Sequence, residues 1–240
     1  MGKKTWYWVL GILAVILIAV LVYSNFFSQG EPPSSANDGH GEMNHTEMGH
    51  GQPNSAKDSP LSLYVKEQDK IMSAMMKDMN GIPYSGNAAI DFLSGMVPHH
   101  AAAISMAESY LNHGGNHRVL APLAQDIIEA QAEEITQMES MLTSIQAEGV
   151  QDTEQADAYL EAYHKGMNHD MMHTAANSSL DAAFAEGMLM HHQMAVDMAT
   201  VIQPHTNEEE VLSFARAIVE TQNQEIDSMQ SVLTELNGAA

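Results

Sequence analysis

The sequence predicts an all-α protein, a bundle of helices formed by two copies of a three-helix unit. From Leu61 onward the chain consists of long stretches rich in Ala, Met, Glu, Gln and Leu, which favour helices, separated by short Gly, Pro or Asn breaks. No segment alternates apolar and polar residues as a strand does. The expected helices cover residues 61–80, 87–112, 117–147, 154–173, 179–202 and 207–236.

An internal repeat relates the first three of these helices to the last three. Residues 92–107 and 184–199 share Phe, Gly-Met, His-His and Met-Ala at corresponding positions, with a constant offset of 92. A Gln-x-x-Glu-Ile-x-x-Met segment at residues 131–138 recurs at 222–229 with an offset of 91. Because self-similarity at a fixed period is typical of a repeated structural unit, we expect a duplication.

Composition limits the chemistry that this chain can perform. Its 240 residues include 19 Met, 13 His, no Cys and only 9 Lys and Arg, and the formal net charge is −22. This charge excludes a basic nucleic-acid surface, and it favours cations without naming one. Without thiolates, any ligand for a soft metal ion must be a Met thioether or a His imidazole.

The N-terminus has the pattern of a membrane anchor. Residues 6–27 are almost wholly apolar, enough to span a bilayer, and Lys3 and Lys4 precede them. The positive flank predicts that this end lies in the cytoplasm and that the remaining chain lies outside, in the periplasm or at the cell surface. A cleaved signal peptide is the alternative, although no convincing small-x-small cleavage site follows the apolar run.

Three regions are therefore expected along the chain. The predicted membrane anchor covers residues 1–28, and a flexible tether rich in Gly, Ser, Asn and Pro covers residues 29–60. The duplicated helical domain covers residues 61–240, with repeats at about 61–148 and 154–238.

The tether contains histidines at every fifth position with methionines between them. A polar linker has no structural need for this alternation, which predicts metal capture, an incidental low-complexity tract being the alternative. The residues concerned are His40, Met43, His45, Met48 and His50.

Soft donors also share faces of the predicted helices. In each copy of the repeat, two methionines and a histidine doublet fall within an arc of about 120° on one helix. The preceding helix of each copy carries three further aligned donors, and the helix that follows carries one methionine. The candidate ligands are Met96, His99, His100 and Met106; Met188, His191, His192 and Met198; Met72, Met75 and Met79; His164, Met167 and Met171; and Met138 and Met229.

Two structural alternatives remain open for these residues. Methionine often fills gaps in a core, and Met138 and Met229 in particular fit that role. The histidine doublets are harder to explain as core, because a buried imidazole needs polar partners. Glu134 and Glu225 could supply those partners and form an inert buried network.

The donor types indicate which metal to expect. Thioether and imidazole without thiolate suit Cu(I), with Ag(I) as its mimic and Cu(II) as an alternative where histidines predominate. Zinc or iron would normally recruit carboxylates or thiolates. A di-iron or di-manganese bundle needs two Glu-x-x-His pairs, and the helical region has only Glu161 to His164.

The doubled Met-x-x-His-His motif, with its following Met-Ala and later Gln-x-x-Glu-Ile-x-x-Met, resembles the bacterial family catalogued as domain of unknown function 305. The likeness covers roughly residues 61–236. It implies an exported, ferritin-like helical bundle with copper binding or copper tolerance in some members, and it supports the doublets and their flanking methionines as ligands. The family usually has Gln-Gly after the doublet, where this chain has Ala101-Ala102 and Gln193-Met194.

We therefore expect an extracytoplasmic copper-binding protein that sequesters, buffers or hands on Cu(I), and that catalyses no reaction. Its partners would be metal ions, the membrane through the N-terminal helix, and a copper-handling protein if the ion is handed on. No nucleic acid is expected, and no oligomeric state is predicted. A ferritin-like di-metal oxidase and a purely structural interaction bundle are the alternatives.

Overall fold

A computed structural model describes residues 59–166 and 179–238, and within these ranges every regular element is helical. The helices are α1 (Pro60–Asn80), α2 (Ala88–Asn112), α3 (Leu120–Glu148), α4 (Thr153–Gly166), α5 (Leu180–Ile202) and α6 (Glu209–Gly238), with a short 3-10 helix at Gln203–His205. The expected all-α class is confirmed, and each predicted helix has its counterpart. The predicted anchor, nearly all of the tether and residues 167–173 of the predicted fourth helix lie outside the described residues.

Polar side chains cap the N-termini of three of the helices. Ser59 accepts a hydrogen bond from the Ser62 N–H at the start of α1, and Ser179 does the same for Ala182 at the start of α5. The Asn87 side chain accepts from two backbone N–H groups of α2. These caps satisfy amides that have no partner inside the helix, so they place each helix start where the sequence predicts it within a residue or two.

Four of the helices surround the centre of the described bundle. α2 packs along α3, α5 packs along α6, and α2 and α5 lie against each other. α1 and α4 cover this arrangement from outside, each contacting both α2 and α5. The two central helices are therefore the ones that carry the histidine doublets.

The contact between α2 and α5 has two equivalent close approaches. The Met198 methyl group lies against Gly95, where an added Cβ would be 3.5 Å away, and the Met106 methyl group lies against Gly187 at the same distance. These pairs correspond to each other under the 92-residue offset. α2 and α5 thus run antiparallel, and each places a methionine on the glycine of the other.

Two apolar clusters fill the bundle. One joins the first half of α2 with the second half of α5 and contains Phe92, Met96, Met138 and Met198, among others. The other joins the second half of α2 with the first half of α5 and contains Met106, Phe184, Met188 and Met229, among others. The middle turns of α2 and α5, where the doublets lie, fall between these clusters.

Within 59–166 and 179–238, no helix combines the length and apolar character that crossing a bilayer requires.

Candidate metal site

All four doublet histidines are fully buried in the middle of the bundle. His99 and His100 lie on α2, His191 and His192 lie on α5, and each has a relative exposure of 0%. The rings of His99 and His191 lie 3.8 Å apart between centroids, whereas the rings within each doublet are about 6 Å apart, at 6.1 and 6.2 Å. The fold therefore brings together two doublets that are 92 residues apart in the sequence.

One histidine of each doublet is held by a carboxylate from the neighbouring helix. His100 Nε2 lies 2.8 Å from Glu134 Oε2 of α3, and His192 Nε2 lies 2.7 Å from Glu225 Oε2 of α6. An ionised carboxylate only accepts hydrogen bonds, so each Nε2 carries the proton and donates. In the neutral ring, the lone pair is then on Nδ1.

The other histidines have fewer partners. His191 Nε2 lies 3.0 Å from the backbone oxygen of His99 and donates to it, and neither ring nitrogen of His99 has a hydrogen-bond partner. Five buried imidazole nitrogens are left without a partner among the described residues. They are His99 Nδ1, His99 Nε2, His100 Nδ1, His191 Nδ1 and His192 Nδ1.

Burial keeps the imidazoles of His99 and His191 neutral. Desolvation lowers the pKa of His99 well below 6.5, and the proximity of His191, His100 and His192 lowers it further. The pKa of His191 is lowered for the same reasons, desolvation first and then the charges of His192 and His100. Since metal ions bind the unprotonated ring, both residues are in the ligand form at neutral pH.

Two glutamines extend the polar layer, and sequence reasoning did not select them as site residues. Gln131 and Gln222 are 2% and 3% exposed, and the Oε1 atom of each has no partner among the described residues. Each lies three positions before Glu134 or Glu225 in the repeated Gln-x-x-Glu segment. That spacing puts Gln and Glu on one face of a helix and was the available signal.

Most of the candidate methionines lie in the two apolar clusters on either side of the histidines. Met75 is 2% exposed, and Met72 and Met79 are half-buried. The others in the described residues are buried at 1% exposure or less: Met96, Met106, Met138, Met188, Met198 and Met229.

One further candidate lies away from this layer, and the others lie outside the described residues. His164 is exposed on α4, as is Glu161, the other member of the lone Glu-x-x-His pair. Met167 and Met171, and the tether residues His40, Met43, His45, Met48 and His50, lie outside the described residues. Within the described residues, no three His, Asp or Glu side chains converge as a group that could hold a metal ion.

The chain matches one protein family and is similar to several solved structures. A family described as Domain of unknown function (DUF305) matches residues 28–142 and 89–233. No curated protein matches the chain.

Several similar solved structures are of CopM. The apo form is 31% identical over 61% of this chain and 96% of its own length, with a TM-score of 0.46. The Cu(I)-bound form is 28% identical over 62% of this chain and 96% of its own, with a TM-score of 0.47. The Ag-bound form obtained by soaking is 30% identical over 61% and 96%, with a TM-score of 0.46.

Proposed function

This chain belongs to the DUF305 family, and we propose that it binds soft metal ions, Cu(I) above all, between the central helices of its bundle. In this role it would sequester, buffer or hand on the ion, and we assign it no catalytic reaction. The metal is cargo rather than a cofactor.

The observation that carries the proposal is the set of five buried imidazole nitrogens without hydrogen-bond partners. Leaving a buried donor or acceptor unsatisfied costs about 1–3 kcal/mol per group. An apolar residue at the same positions would avoid that cost, so the histidines weaken the metal-free bundle. Coordination by metal ions would use the one lone pair of each ring and offset most of this cost, since one of the two His99 nitrogens carries the ring proton.

The surrounding side chains fit a soft ion. Buried thioethers lie in the clusters on both sides of the histidines, and neutral imidazole with thioether suits Cu(I) and its mimic Ag(I). We propose mixed sites in which at most two imidazoles join methionine sulfur, because no larger His, Asp and Glu group converges in the described residues. The CopM structures were described with Cu(I), Cu(II) and Ag, which are therefore suitable probes.

Glu134 and Glu225 have a supporting part in this proposal. A metal-binding histidine commonly donates its second N–H to a carboxylate, which fixes the ring and raises its basicity as a ligand. The inert-network alternative requires the same two contacts, but these satisfy only one nitrogen of His100 and one of His192. The unpartnered atoms therefore favour the ligand role.

The di-metal oxidase is less well supported. Its Glu-x-x-His signature occurs once in the helical region, and both Glu161 and His164 of that pair are exposed rather than directed into the bundle.

Location and arrangement complete the proposal. We propose that residues 6–27 anchor the chain in the cytoplasmic membrane, that the helical domain lies outside the cytoplasm in a ferritin-like arrangement, and that the tether histidines collect ions near the membrane. The support is the apolar run after Lys3 and Lys4 and the His/Met alternation. A partner protein that takes up the ion would be needed for delivery but not for storage.

Removing all four histidines tests the proposal. In a full-length background with His40, His45 and His50 changed to Asn, we expect alanine at His99, His100, His191 and His192 to remove most of the Cu(I) bound in equilibrium with a competing chelator. Copper per chain is measured by elemental analysis, and circular dichroism checks the fold.

The matched control is His205→Ala, which removes a histidine of the 3-10 helix outside the layer and should leave the copper content unchanged. A well-folded quadruple variant that retains the full copper content would refute the ligand role and favour the inert network.

A further inference from the structure

The methionines of α1 differ in exposure, and this bears on how an ion reaches the buried histidine layer. α1 carries four methionines, Met72, Met75, Met76 and Met79, and at 3.6 residues per turn they fall within an arc of about 100°. Their exposure is graded. Met76 is 38% exposed, Met72 and Met79 are half-buried, and Met75 is 2% exposed.

The inner end of this series is continuous with the methionines of the core. Met75 belongs to the same apolar cluster as Met96, Met138 and Met198, and Met79 packs against that cluster. Met72 packs against both clusters and so lies beside the boundary between them. The methionines of α1 thus extend from the surface of that helix into the apolar cluster that contains Met96 and Met198.

The outer end of the series is distinctive among exposed residues. In the described part of the chain, the exposed large apolar side chains are Leu63, Met76, Tyr84 and Val150. Of these, Met76 alone carries a soft donor atom. A single exposed apolar residue needs no explanation, but one that begins a line of thioethers toward a layer of fully buried ligands has a chemical use.

We propose that Met76 is the surface site at which Cu(I) or Ag(I) is first bound, and that Met72, Met79 and Met75 pass the ion inward to the buried histidines and methionines. This inference rests on the proposed function. Thioether ligands stay neutral at every physiological pH and bind soft ions individually, so an ion can move by exchanging one sulfur for the next.

The test compares the rate of ion uptake with the final amount bound. Met76→Leu keeps the volume and apolar character of the side chain but removes its sulfur, so the fold should be retained. The full-length chain, labelled with ¹³C at its methionine methyl groups, is mixed with buffered Ag(I), and the buried methyl signals are followed by NMR. We expect uptake at Met75, Met96 and Met198 to slow severalfold, with the same final Ag(I) content.

A matched pair of variants controls for the number of surface thioethers. Leu63→Met adds an exposed sulfur near the start of α1, and we expect it neither to accelerate uptake alone nor to restore the rate in the Met76→Leu background. An unchanged rate in Met76→Leu, or rescue by Leu63→Met, would overturn the inference while leaving the proposed function intact. Absence of Ag(I) from the buried methionines of the unaltered chain would overturn both.

Discussion

At the scale of the residue, the two histidine doublets have different partners although the repeat relates them. His191 Nε2 donates to the backbone oxygen of His99 at 3.0 Å, whereas the His99 ring has only a weaker interaction with the backbone of His191, which partly opposes the lowering of the His99 pKa. The two rings face each other at 3.8 Å, so they lie where the two halves of the repeat meet. A neutral imidazole carries one proton, so His99 has one lone pair and one N–H, and neither is within hydrogen-bonding distance of a partner.

Burial of neutral histidines predicts that acid destabilises the metal-free protein. The pKa of His99 and His191 is lowered in the folded state, so below about pH 6.5 the unfolded chain binds protons that the folded chain does not. Stability is then lost as the pH falls, by at most about 1.4 kcal/mol per pH unit for each histidine. Thermal unfolding of the metal-free protein between pH 7 and pH 5 should show a falling Tm.

Replacing both residues isolates their part in this effect. The double variant His99→Ala with His191→Ala should show a shallower decline of Tm over the same pH range. An equally steep decline in this variant would mean that other groups cause the acid sensitivity.

At the scale of the element, the Tyr110 side chain fixes the turn after α2. The second copy of the repeat has no tyrosine at the corresponding position. Tyr110 is fully buried, stacks on Phe184 with centroids 4.2 Å apart, and donates to Asp181 at 2.6 Å. It thereby ties the end of α2 to the start of α5. The backbone at Gly115 passes so close to the Tyr110 ring that a Cβ atom added at Gly115 would overlap the ring.

This packing predicts that Gly115→Ala is destabilising. The Tyr110 ring cannot move aside without losing its stacking and its bond to Asp181, so overpacking should cost about 1–3 kcal/mol. Urea unfolding measures the change, and Gly166→Ala is the control, since no atom of the described residues lies within 4 Å of a Cβ added there. Equal stability of the two variants would show that the turn after α2 adapts freely.

At the scale of the whole molecule, the described bundle is close to two-fold symmetric about the α2 and α5 contact. The pairs Gly95 with Met198 and Gly187 with Met106 are equivalent, as are the two His and Glu contacts between neighbouring helices. Such symmetry gives each half of the polar layer similar donors. The formal net charge of the chain, −22, favours cations over anions.

Equivalent halves should contribute similarly to metal binding. Changing His99 and His100 to Ala, or His191 and His192 to Ala, is expected to lower the copper content by similar amounts in the full-length background without tether histidines. Because His99 contacts His191, the two losses need not add up to that of the quadruple variant. A large loss from one doublet and none from the other would contradict the equivalence.

The helices, the repeated motifs and the identity of the histidine layer follow from the sequence, because helix propensity, caps and spacing along one helix are local properties. The tertiary structure alone decides which carboxylate meets which imidazole, since Glu134 and His100 are on different helices. It also separates the adjacent residues Met75 and Met76 into a buried and an exposed thioether, and it leaves His164 at the surface. Such outcomes depend on how whole helix faces pack, which no local pattern specifies.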